Sequence, residues 1–207
     1  MQLQTLFSIS ETLAHKLYEE LQHPQTHPAI FHYFGEAFKF IHMSDMTHKQ
    51  IHYLQDHLYI YSVLYGLLRP LDKISSYRLD FLTPLQQLGF EDAYNTIKND
   101  VTQQLIQSHT KVIVLVCSKE FKDKLELSEL RKHCKVIDTS FISIIDGQEK
   151  VISVHAKHAR GAFIRACALQ SILNVSSLYK LETFDDWTLD HTHSTPTHRI
   201  YKKNFIK

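Results

Sequence analysis

Three cysteines, five glycines and five prolines in 207 residues leave little room for several architectures. Cys117, Cys134 and Cys167 are odd in number, widely spaced and without a C-x-x-C pair. That argues against a disulfide framework or a zinc knuckle and fits a reducing, cytoplasmic setting. No stretch reads as a linker, an internal repeat or a low-complexity tract. A charge surplus is missing too: 23 Lys and Arg against 22 Asp and Glu give a formal net charge of +1. This balance excludes a polycationic coat for nucleic acid but leaves room for a local basic patch. The longest purely apolar run, Val112 to Cys117, is far too short to cross a bilayer, and "MQLQTLFSIS" lacks the basic-then-apolar order of a secretory signal. No membrane partner is expected.

What is present is ordinary globular material, 43% hydrophobic and 22% charged, enough for a sizeable core. Ser8 and Glu11 have capping-box spacing ahead of a helix with Leu13, Leu17 and Leu21 on one face. Pro28 opens a second helix to roughly Ile41. Thr47 and Gln50 repeat the box before a third, in which Ile51, Leu54, Leu58, Tyr61 and Tyr65 recur at steps of three and four, with Gly66 as its C-cap. Tyr94, Ile97, Val101 and Leu105 mark a fourth helix, and "VIVLVC" reads as a strand buried on both faces. Asp146-Gly147 is a hairpin-turn signal between strands over 135–145 and 150–155. "ARGAFIRACALQSILN" follows as a helix, and short strands around 187–189 and 199–202 flank "HTHSTPTH". The expectation is one mixed α+β domain over 1–207, helical in its N-terminal half and with a mixed sheet in its C-terminal half.

Two stretches carry most of the chemistry-bearing side chains. "YSVLYGLLRPLDKISSYRLDF" crowds Tyr65, Gly66, Arg69, Asp72, Tyr77 and Arg78 around Pro70. An apolar helix, a glycine cap, "LLRP" and a segment with Tyr77-Arg78 have the outline of a helix-hairpin-helix, whose turn offers backbone amides to a phosphate. Arg69 and Asp72 pairing to hold a turn is the competing reading. "HAKHARG" brings Lys157 and Arg160 to a strand-to-helix junction that favours an anion, and Arg165 extends the set about 140° further around the helix. A solvated basic face is the alternative there. Ser118, Glu120 and the lysines around them follow directly on the buried strand, where open α/β sheets tend to place ligand sites, or else Ser118 caps a helix with Glu120 in its first turn. His191, His193 and His198 lie close in sequence, but no acidic residue or cysteine completes a familiar metal spacing, so no metal or cofactor is expected.

Taken together, these residues resemble the YaaA family of bacterial peroxide-stress proteins. That family carries L-S-G-L-Y-G-x-L-R-P-L-D-x-x-x-P-Y-R-L-E, matched by Ser62, Leu64, Tyr65, Gly66, Leu68, Arg69, Pro70, Leu71, Asp72, Tyr77, Arg78 and Leu79. It also carries S-x-x-A-K-x-A-R-G, matched by Ser153, Ala156, Lys157, Ala159, Arg160 and Gly161. Departures are Val63, Ser76 and Asp80 within the first motif, Phe34, where the family has lysine in F-K-G-D, Leu115 in place of asparagine, Ile97-Lys98-Asn99 in place of F-W-G, and an expected shortening at the N-terminus. The resemblance implies a cytoplasmic protein that limits reactive intracellular iron during peroxide stress and binds DNA, duplex or branched, through a helix-hairpin-helix and a basic cleft. An enzyme acting on a nucleotide or nucleobase is the other reading, with Glu120 or Asp190 as acid or base beside an arginine-bound phosphate.

Overall fold

The computed structural model describes residues 3–7 and 9–205. The expected cap at Ser8 lies outside them. After α1 (Leu3–Phe7), Ser10 caps α2 (Glu11–Gln22) by accepting from the Leu13 amide at 3.4 Å. Leu17 is buried while Leu13 and Leu21 stay exposed, so only part of the leucine row is covered.

Strand β1 (Thr26–Pro28) runs through Pro28 into α3 (Ala29–His32), and Gly35 then starts α4 (Glu36–Lys39). The single helix expected from Pro28 to Ile41 is thus two one-turn pieces. The amides of Ala29 and Ile30 are taken by the carbonyls of Asp72 and Pro70, which docks the first turn on a distant loop, and the chain leaves helical geometry at Tyr33. The capping box does form at α5 (His48–His57): Gln50 Oε1 accepts the Thr47 amide at 2.8 Å and Thr47 Oγ1 accepts the Gln50 amide at 3.4 Å.

That helix stops at Leu58, well short of Gly66. Strands β2 (Ile60–Ser62) and β3 (Gly66–Leu68) pair antiparallel, Tyr61 opposite Leu67, and β4 (Lys73–Ser75) then pairs with β1. A helix-hairpin-helix is therefore corrected to helix, β-hairpin, turn and strand. "LYIYSV" is rich in aromatic and β-branched residues that fit a pleat, and Ile60 and Ser62 are buried at strand spacing. Gly66 keeps a special role in the turn: its φ of +70° is one that side chains with a Cβ rarely adopt.

Beyond a 3₁₀ turn at Leu85–Leu88, α6 (Ala93–Gln107) leads to β5 (Val112–Leu115), α7 (Lys119–Lys122), α8 (Leu127–His133) and the long β6 (Lys135–Ile145). Asp146 and Gly147, both at positive φ, turn the chain into β7 (Gln148–Lys150). The strand expected through His155 ends at Lys150, and His155 lies instead in the first turn of α9 (Ser153–Leu169). The tail adds α10 (Val175–Tyr179), β8 (Thr183–Phe184), β9 (Trp187–Leu189) and β10 (His198–Phe205).

The main sheet has the order β5-β6-β10-β9-β8, with β7 also on β6; β5 and β10 run parallel to β6 and β9 antiparallel to β10. This is the expected mixed α/β organisation. Helix α9 covers the sheet with Ala156, Ala159, Ala162, Phe163 and Ala166, packed among Phe141, Phe184, Trp187 and Tyr201. Through Ala168 it also reaches the N-terminal core of Ala29, Ile30, Leu54 and Ile74. A third cluster, around Val101, Leu115 and Leu130, lies under α6 and α8.

All three cysteines are unpaired and part-buried, and burial raises their thiols, Cys167 to about 12. Among the described residues no helix is long and apolar enough to cross a membrane.

Candidate functional site

Where β5 ends, the chain passes through Cys117 and Ser118 into α7, which brings Lys122 back over the sheet. Lys122 forms an ion pair with Asp138 and donates to the Thr139 carbonyl at 3.2 Å. Asp138 also accepts the Thr139 amide at 2.7 Å, and the Thr139 hydroxyl donates to the Leu115 carbonyl at 2.8 Å. Asp138 and Lys122 therefore neutralise each other. Arg160 reaches the same place from α9. It is part-buried, Cys117 lies within its field, and no hydrogen bond or ion pair engages it among the described residues. Burial disfavours its charged form and lowers its pKa, with only the Cys117 thiol opposing. That thiol is itself raised by burial, against the influence of Lys122 and Arg160, so at neutral pH it supplies no negative charge. One uncompensated guanidinium is left at the carboxyl end of a parallel strand, where α/β sheets bind ligands.

The other arginines have different fates. Arg69 lies flat on Tyr59, 3.6 Å from the ring centre, and donates to the Tyr59 hydroxyl at 2.7 Å and the Asp56 carbonyl at 3.1 Å. It closes the end of α5. Asp72 accepts the Arg69 backbone amide at 2.7 Å, so the expected pairing exists through the main chain. Arg165 donates to the carbonyls of Ile41 and His42 at 3.2 and 3.0 Å and ties α9 to the turn after α4. Arg78 and Lys157 are exposed, with no hydrogen bond or ion pair among the described residues.

Tyr77 donates or accepts at the Tyr33 hydroxyl, 2.8 Å away, and at Ser62 Oγ, 2.7 Å away, while Tyr65 meets the Tyr77 ring edge-on at 5.4 Å. Tyr65 stands in the hairpin turn rather than on a helical stripe, and its hydroxyl accepts the Ser75 amide at 3.3 Å. It braces β4 against the hairpin. Tyr65→Ala is expected to lower the unfolding free energy by about 1 kcal/mol in urea titration. A variant with unchanged stability and lost nucleic-acid binding would assign Tyr65 to the ligand instead.

No hydrogen bond or ion pair among the described residues joins "YGLLRP" directly to "HAKHARG". An arc of contacts links them. The Tyr61 hydroxyl donates to the Lys124 carbonyl at 3.0 Å just beyond α7, Tyr77 holds Tyr33, and His158 holds Glu36 at 2.9 Å while stacking on Phe40.

Of the two acid–base candidates, Glu120 is exposed on α7 and Asp190 is committed to a turn. The Asp190 side chain, 10% exposed, pairs with Lys202 and His193 at 2.6 Å each and accepts the Thr192 amide at 3.0 Å. Lys202 foremost holds its carboxyl far below the usual carboxylate range, which makes it a poor proton donor or acceptor at neutral pH. His198 bonds Ser140, and His191 lies 3.7 Å from Glu182. Among the described residues no three His, Cys, Asp or Glu side chains are grouped to hold a metal ion.

Sequence reasoning missed Asp138 and Thr139, and placed Lys122 only among the lysines around Ser118 and Glu120. The available signal was an aspartate inside the β-branched run "KVIDTSFISII", where a charged residue requires a partner.

Over residues 1–193 the sequence matches the family described as "Peroxide stress protein YaaA". The chain belongs to that family. Curated relatives carry the name UPF0246 protein. One from Rickettsia rickettsii (strain Iowa) is 27% identical over 207 residues, covering 98% of this chain and 82% of its own length. One from Phocaeicola vulgatus is 31% identical over 210 residues, covering 97% and 81%. The Ala159-Arg160-Gly161 stretch of this chain thus joins an arginine without a hydrogen bond or ion pair among the described residues to a glycine against which α4 packs.

Proposed function

We propose that this protein serves the peroxide-stress response by binding DNA phosphates in a basic cleft anchored on Arg160, with Lys157 one helical turn away. The reading rests on the half-buried guanidinium of Arg160: a charge withdrawn from water without a partner is costly, and an anionic ligand removes that cost. Limitation of reactive iron belongs to the same reading, and family membership supports its peroxide-stress part.

The test is a salt-dependent titration against duplex, single-stranded and branched DNA. Arg160→Ala is expected to weaken binding and make the slope of log K against log salt shallower by about 0.9 for one lost phosphate contact. Stability should move by less than about 0.5 kcal/mol, since no carboxylate or carbonyl is left unpaired by the truncation. An unchanged slope together with a large fall in stability would show that Arg160 is a structural residue.

A further inference from the structure

We propose that the cavity beside Tyr77 is a subsite for one unpaired nucleobase, so that the strand favoured by this protein is single-stranded or locally opened. The proposal rests on the phosphate-binding reading above and adds a site that Arg160 does not touch. The cavity has a volume of about 310 Å³ and is lined by His32, Tyr33, Phe34, Tyr77, Arg78, Leu79 and Asp80. That is the low end of the range for small-ligand sites, the scale of a single base or nucleotide.

Its lining supplies the elements of base recognition. Phe34 is 77% exposed, an aromatic ring on the cavity wall with no ring partner among the described residues. An exposed aromatic face is a sequence-tolerant platform on which bases stack.

Hydroxyl accounting gives the second element. Ser62 Oγ accepts the amides of Leu64 and Tyr65 at 3.2 and 3.0 Å, which uses both its lone pairs, so its proton goes to Tyr77. The Tyr33–Tyr77 bond consumes one phenolic proton, and the other is left over. The phenol pair therefore keeps one donor for a ring nitrogen or carbonyl oxygen.

Asp80 supplies the complement. Its Oδ1 accepts the Leu82 amide at 3.0 Å and the Thr83 hydroxyl at 3.1 Å, while Oδ2 has no hydrogen bond among the described residues and suits an exocyclic amino group. Arg78, exposed and without a hydrogen bond or ion pair among the described residues, is the cation for the attached phosphate, because burial first and His27 second lower the pKa of His32 and keep its ring neutral.

The experiment uses the full chain and three probes: a single-stranded oligonucleotide carrying 2-aminopurine, the same strand with abasic sites, and its duplex. Binding should quench aminopurine fluorescence, and the abasic strand should bind about ten-fold more weakly than the normal one. Phe34→Ala, at an exposed position, should weaken single-strand binding about ten-fold and leave the duplex unchanged, and Phe34→Trp should restore it. Unquenched aminopurine at saturation, or equal losses on all three probes, overturns the base subsite. If Arg160→Ala leaves every salt slope unchanged while Phe34→Ala still discriminates, the phosphate reading fails and the subsite stands. No binding of any probe by the wild-type chain overturns both.

Discussion

Gly161→Ala should lower the unfolding free energy by about 3 kcal/mol, the opposite of what helix propensity alone predicts. In a free helix the change is favourable by about 1 kcal/mol, because alanine loses less backbone freedom than glycine. Here a Cβ would stand 2.1 Å from the Ala37 carbonyl oxygen, 2.7 Å from Phe40 Cβ and 2.9 Å from the Phe40 carbonyl carbon. Two of these three atoms belong to backbone, so no rotamer change relieves the contact. Helix α4 would have to retreat from α9, and the bonds from His158 to Glu36 and from Arg165 to the Ile41 and His42 carbonyls span that seam. Overpacking of this kind typically costs 1–3 kcal/mol and occasionally more. For a chain of this length that corresponds to a melting temperature lower by about 10 °C. A melting temperature equal to or above wild type in a thermal scan would show that α4 is not fixed there.

The same glycine shows where sequence reasoning stops. The basic character of "HAKHARG" was legible, but its strand-to-helix junction was not, since the whole stretch lies inside α9. The Asp146-Gly147 turn, the Thr47 capping box and the short strands near Trp187 and Arg199 stand where local patterns put them. These features depend on neighbours within a few residues. The hairpin at 60–68 was misread because Leu58 and Tyr61 continue the helical row of Ile51 and Leu54, whereas the buried positions, Ile60 and Ser62, follow strand spacing. Arg69 closes α5 at Leu58 from eleven residues away. Likewise, three arginines of similar sequence context separate only in three dimensions. Arg69 and Arg165 find carbonyls, Arg160 finds none, and no spacing rule encodes which. Asp138 is the intermediate case, since its place inside a strand announces a partner without saying that the partner is Lys122.

Arg199→Ala is the second change expected to be severe, and it sets the opposite pole to Arg160. Arg199 is 5% exposed, on β10, two residues before Tyr201 and therefore on the same face. Its Nε donates to the Tyr201 hydroxyl at 3.0 Å and one Nη to the Leu181 carbonyl at 3.0 Å and the Tyr179 carbonyl at 3.4 Å. The guanidinium lies between two rings, 5.4 Å from Tyr179 and 5.6 Å from Tyr201. No carboxylate pairs with it among the described residues; carbonyls and ring faces carry the charge. Truncation removes these bonds, empties the space of the stem between α10 and the sheet, and takes a donor from the Tyr179 carbonyl at the end of α10, while the Leu181 carbonyl keeps the Tyr201 hydroxyl at 2.8 Å. Together these amount to about 3–4 kcal/mol. Arg199→Lys should recover less than half, because one ammonium cannot reach both carbonyls and the phenol in the fork geometry. The salt slope for DNA should be that of the wild type, since this guanidinium faces the core. Urea unfolding and the binding titration, run on Arg199→Ala and Arg160→Ala side by side, should give crossed results: stability lost with the slope kept in the first, slope lost with stability kept in the second. A loss below about 1 kcal/mol at Arg199 would mean that its carbonyl partners are satisfied without it.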